Sequence, residues 1–144
     1  MFARAGGPTK SYDLTIPFTQ NRHTKRWYPI MVVSLQLNSG GWRQFRLIFD
    51  TGSSSIILRT EFADQFAPGV LQGVNTVGHK KSRQMPVTQS QADVLGRIIP
   101  CEVMLANLPA NYLVDGLLGR ECMTPFVFGY SQTAQEIYVR LSPS

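Results

Sequence analysis

Cysteine, histidine and charge are all scarce in this sequence, and each shortage closes off a class of function. Two cysteines, Cys101 and Cys122, are too few for a disulfide framework and lack metal-ligand spacing. They read as free buried thiols, with a single bridge as the alternative. The two histidines, His23 and His79, stand in basic stretches with neither zinc spacing nor a cysteine partner. No metal and no cofactor is therefore expected. No apolar run approaches the ~20 residues of a membrane span, and Met1 to Pro8 carries no apolar signal core, so no membrane segment is expected in this chain. Charged residues make up only 16% of it, and the net charge of +5 is spread out. The basic clusters Arg22-His23-Thr24-Lys25-Arg26 and His79-Lys80-Lys81-Ser82-Arg83 sit on no recognisable binding motif and read as solvated loops. A small nucleic-acid-binding β-barrel would rest on charge alone, and no nucleic-acid partner is expected.

What the chain does have is apolar residues, 43% of 144, enough for one domain with a proper core. Residues 1–10, rich in glycine with small side chains, read as a flexible lead-in, and 11–144 as the single domain. Strand patterns dominate. Tyr12, Leu14, Ile16 and Phe18 alternate with other residues, and Pro17 marks an edge strand because it cannot donate to a ladder. Val33, Leu35 and Leu37 alternate with Ser34 and Gln36, and Asn38-Ser39-Gly40-Gly41 predicts a hairpin turn into the strand Trp42 to Phe49. Thr60 to Phe66 predicts a helical turn capped by Thr60. Further strands are predicted over 70–77 and as a pair over 92–106 broken at Gly96-Arg97. A short helix follows over 120–126, then a last hairpin around Ser131-Gln132-Thr133. The fold class is all-β with one or two short helices.

One stretch breaks this apolar logic. Phe45-Arg46-Leu47-Ile48-Phe49 delivers the carboxylate of Asp50 to a turn, Thr51-Gly52-Ser53, and Ile56-Ile57-Leu58 resumes the strand. A carboxylate between two buried segments needs partners, since desolvating it alone costs several kcal/mol. Thr51 and Ser53 offer hydroxyls, and Gly52 offers an unobstructed N–H. A carboxylate oriented and partly dehydrated in this way suits general acid or base work. Asp-Thr-Gly is also an ordinary turn sequence, with the aspartate capping the N–H groups that follow. The strands on both sides are more than that capping requires.

Leu47-Ile48-Phe49-Asp50-Thr51-Gly52-Ser53-Ser54 resembles the active-site signature of aspartic peptidases. About 65 residues on, Leu117-Leu118-Gly119-Arg120 resembles the apolar-apolar-glycine motif of the single-lobe, retropepsin-like branch. The resemblance spans roughly residues 28 to 140 and implies a closed or partly open β-barrel of the acid-protease type. It implies Asp50 as catalytic residue, with Thr51, Gly52, Ser53, Leu117, Leu118 and Gly119 in support. Thr51 would link two turns across a dimer axis, and Leu117-Leu118-Gly119 would pack beside the Asp50 turn. Ser53 resembles the pepsin-type serine and would give the carboxylate an extra donor, implying a more acidic operating range. Arg120 follows the second motif as in viral relatives, where it pairs with an aspartate two residues beyond the active-site glycine. Ser54 stands at that place here. Residues about 72 to 92 occupy the interval of the flap, the hairpin that closes over substrate.

The chain has one Asp-Thr-Gly and is too short for a two-lobed pepsin. The resemblance therefore implies a homodimer in which two copies of Asp50 activate water against a peptide or protein substrate. Asp115, in Val114-Asp115-Gly116, lacks the threonine of the active-site turn and reads as a turn residue rather than a second catalytic carboxylate. The alternative is a catalytically silent retropepsin-like domain for dimerisation or peptide binding.

Overall fold

The computed structural model describes residues 12–74, 83–108 and 114–141. The expected lead-in over 1–10 lies outside them, as does the tip of the expected flap. The described residues form twelve strands and two short 3-10 helices. β1 is Leu14–Pro17, β2 Thr19–Gln20, β3 Trp27–Tyr28, β4 Ile30–Gln36 and β5 Trp42–Phe49. β6 is Ile56–Arg59, β7 Val70–Val74, β8 Arg83–Val94 and β9 Arg97–Ala106. β10 is Gly116–Leu118, β11 Phe126–Ser131 and β12 Glu136–Leu141.

Six of these strands close into a barrel in the order β4-β5-β10-β6-β9-β8, with β8 returning to β4 through Ser34–Asp93 and Leu35–Ala92. The parallel pairs are β5 with β10 and β6 with β9. β7 adds to the outside of β8, and β1-β12-β11 forms a separate three-stranded sheet. β1 is an edge strand, as Pro17 predicted. Gly40 adopts φ +93° in the β4–β5 turn, where an L side chain would be strained.

Period-two burial fills the barrel. Met31, Val33 and Leu35 of β4 and Phe45, Leu47 and Phe49 of β5 all point inward. Opposite them lie Ile56, Leu58, Val103, Leu105 and Leu118, all buried. The first 3-10 helix, Thr60–Gln65, sends Phe62 edge-on to Phe45 at 5.2 Å between centroids, an arrangement aromatic pairs favour. Arg43 covers both rings at 5.3 and 5.0 Å. The expected Thr60 cap is not formed: Arg59 holds the cap position without a side-chain bond, and the Thr60 hydroxyl donates to Asn107 instead. No helix among the described residues is long and apolar enough to cross a membrane.

Candidate active site

β5 ends at Phe49, which is buried and packs edge-on against Phe128 of β11 at 4.9 Å. The chain must turn there, so Asp50 is carried at the mouth of the barrel on a strand fixed from both sides. Its N–H donates to Leu118 O at 2.9 Å, continuing the parallel pairing of β5 with β10 by one residue. The turn closes on itself through Ser53 N–H to Asp50 O at 3.1 Å. The carboxylate accepts from Gly52 N–H at 2.9 Å, the approach that a residue without Cβ permits. Asp50 is half-buried, while Thr51 and Gly52 are exposed.

The rest of the turn is held from behind by the corner that joins β10 to the second 3-10 helix, Arg120–Met123. Arg120 N–H donates to Ser53 O at 2.9 Å and Glu121 N–H to Ser54 O at 3.1 Å. The Arg120 guanidinium reaches Thr51 O at 3.2 Å. Of the five carbonyls from Asp50 to Ser54, four thus accept a hydrogen bond, three of them from this corner. Leu118 is fully buried, and Gly119 lies so close to Ser54 and Ser55 that a Cβ would stand on their backbone. Asp50, Thr51, Gly52, Ser53, Leu117, Leu118 and Gly119 are therefore brought together in one place.

Two expectations about this turn change. The Ser53 hydroxyl donates to Ser55 O at 3.0 Å, so it is spent on the turn's own backbone, and the extra donor that implied a more acidic operating range is not at the carboxylate. Arg120, left without an aspartate by Ser54, takes the Thr51 carbonyl instead. Sequence gives no sign of that contact, because a main-chain acceptor leaves no mark on it.

Asp115 is placed elsewhere. Its carboxylate accepts from Arg46 N–H at 2.8 Å, its own N–H donates to Arg46 O at 2.9 Å and its carbonyl accepts from Arg59 N–H at 3.1 Å. Arg46 lies four residues before Asp50 on β5, so Asp115 is tied to the strand behind the turn and caps the start of β10. A cavity of about 460 Å³ beside it is lined by Arg59, Glu61, Asn107 and Asp115, without Asp50. Among the described residues no group of three or more His, Cys, Asp or Glu side chains is placed to hold a metal ion.

The interval of the expected flap holds β7 and β8, paired antiparallel from Val70–Val87 to Val74–Arg83. β7 is the outermost strand on that side, and Val70 and Leu71 are exposed at 68% and 62%.

Comparison with solved structures gives a retropepsin-like aspartic protease from Rickettsia conorii, with a TM-score of 0.58 over 90% of this chain and 92% of that one at 17% identity. The fold is retropepsin-like. A second structure, EIAV protease complexed with the inhibitor HBY-793, aligns with a TM-score of 0.47 over 74% of this chain and 91% of that one, at 21% identity. No known family profile and no curated protein matches the chain. The retropepsin-like fold accounts for the closed six-stranded barrel and for the near absence of helix. The roles of individual residues rest on the turn itself.

Proposed function

We propose that the chain is an aspartic endopeptidase whose reaction centre forms when two copies meet about a two-fold axis, each contributing one Asp50. The observation that carries this reading is the one-sidedness of the turn. Behind Asp50, hydrogen bonds from the β10 corner tie down the turn carbonyls; in front, the carboxylate is half-buried and Thr51 and Gly52 are exposed. Such rigidity is what a positioned acid–base group needs. One chain supplies one such carboxylate, since Asp115 is occupied with Arg46.

Two carboxyl groups brought within a few ångströms cannot both ionise cheaply, and they share a proton, as in the aspartic proteases that are the usual example. One Asp50 takes a proton from a bound water while the other, protonated, polarises the scissile carbonyl. Thr51, at the exposed front of the turn, would bond to its counterpart across the axis. Gly52, Ser53, Leu117, Leu118 and Gly119 hold the turn, and the β7–β8 hairpin would cover an extended peptide through main-chain hydrogen bonds.

The test is dilution. Peptide cleavage per chain is expected to fall as the protein is diluted, in step with the change from twice the chain mass to the chain mass measured by sedimentation. Constant activity per chain in a strictly monomeric sample would refute the shared centre. A wild type that dimerises but cleaves no peptide from about pH 3 to 8 would leave the scaffold reading standing.

A second expectation concerns Arg120. Changing it to methionine keeps an unbranched apolar stem but removes the guanidinium and frees the Thr51 carbonyl, and on this reading kcat falls about tenfold while KM changes little, the signature of lost positioning. Lysine, which can reach one acceptor as a point donor, is expected to recover part of the loss.

A further inference from the structure

Cys101 and Cys122 have no part in the chemistry proposed above, yet the fold brings them together. Cys101 lies on β9 and is 7% exposed; Cys122 lies in the second 3-10 helix and is 1% exposed. Neither is bridged. Both line one cavity of about 230 Å³ whose other walls are Ser55, Gln89, Pro100, Glu102 and Glu121, and β9 packs against the helix that carries Cys122, so that each thiol shifts the other's titration. Gln89 and Glu121 at its rim are exposed, so the cavity connects the sulfurs with the surface.

We infer that Cys101 and Cys122 form an oxidant-reactive dithiol site, which a small neutral peroxide converts to a disulfide joining β9 to the corner that holds the Asp50 turn. The Cys101 thiol is pushed up by its interaction with Cys122 and by burial, while Cys101 holds the Cys122 thiol down. Cys122 therefore attacks first, and the reverse order gives the same disulfide. The Cys122 thiolate attacks one peroxide oxygen, the O–O bond breaks and hydroxide leaves to be protonated to water, giving a sulfenic acid. The Cys101 sulfur then attacks the Cys122 sulfur, the S–O bond breaks and a second water departs with the Cys101 proton. The protein loses two electrons and two protons, and the peroxide is reduced to two waters. Glu102 and Glu121 at the cavity favour an uncharged oxidant over an anionic one.

The site is independent of the peptidase reading, and its test does not use cleavage. Folded wild-type protein treated with hydrogen peroxide is expected to lose about 2 Da and to leave no thiol open to alkylation after denaturation without reductant. Dithiothreitol should restore both thiols. Closing this loop should also raise Tm by about 5 °C, and neither Cys101→Ser nor Cys122→Ser should show the mass loss or the Tm rise. Two alkylatable thiols after treatment, or a gain of oxygen mass at either cysteine in place of the 2 Da loss, would overturn the inference. Both readouts are taken on the wild type, so they stand even where a serine variant folds poorly.

Discussion

Asparagine at position 50 is expected to lower peptide hydrolysis by at least about 10⁴-fold while leaving the fold and the pairing of chains in place. The magnitude follows from the double duty that the proposed shared centre gives this position. Each general acid–base contribution is worth about 10²–10⁴-fold, and a homodimer carrying Asp50→Asn loses both. The fold should tolerate the change, because Asn Oδ1 can still accept the Gly52 N–H that Asp50 Oδ1 accepts at 2.9 Å, and the main-chain bonds to Leu118 and Ser53 do not involve the side chain. A sharper measurement uses mixtures. When wild-type and Asp50→Asn chains are unfolded together in equal amounts and allowed to reassemble at random, about a quarter of the dimers carry two aspartates. Activity relative to the same amount of wild-type protein alone should then be about one quarter. A chain that works alone, or a dimer with two separate sites, would retain one half, and that result would end the shared-centre mechanism.

The elements that periodicity reads well are those whose neighbours come from nearby in the chain. β4 and β5 and the turn at Asn38–Gly41 are all visible in the sequence, because alternation fixes which face is buried and Gly40 needs its positive φ. Closure of the barrel is not visible in the same way. Ser34–Asp93 and Leu35–Ala92 join positions nearly sixty residues apart, and nothing local in either segment marks the other; only the resemblance to retropepsins implies closure. The site divides along the same line. Asp50 and the two glycine motifs are legible because a carboxylate at the end of an apolar strand, and a glycine where a backbone crosses another, are conspicuous residue choices. The destinations of the hydroxyl and guanidinium groups are not. Residue types alone point Ser53 to Asp50, make Thr60 a helix cap and leave Arg120 without its partner. Instead they bond Ser55 O, Asn107 and Thr51 O. Two of these acceptors are main-chain carbonyls, which every residue has, so residue identity alone cannot select among them.

Gly119→Ala is expected to be strongly destabilising. A Cβ on Gly119 would stand on Ser55 O and lie 2.6 Å from Ser54 O and 2.5 Å from Ser54 C. All three are main-chain atoms of the Asp50 turn and the residue that follows it, so no side chain can rotate away to make room. The corner or the turn must shift, and either movement strains the bonds from Arg120 to Ser53 O and from Glu121 to Ser54 O. Forcing atoms into a packed interior costs about 1–3 kcal/mol and more where backbone has to move. A loss of about 3 kcal/mol, or roughly 9 °C in Tm for a domain of this size, is therefore expected. The control is Gly41→Ala, where the added methyl meets only Ser39 Oγ at 3.6 Å and should change stability by less than about 0.5 kcal/mol. Urea unfolding of the two variants beside the wild type measures the contrast. Equal stabilities would mean that the corner does not press on the turn. A Gly119→Ala protein that unfolds earlier yet cleaves peptide at the wild-type rate would separate the corner's structural role from the positioning of Asp50. The two should fail together, because the atoms that the methyl displaces are continuous with the turn that carries the carboxylate.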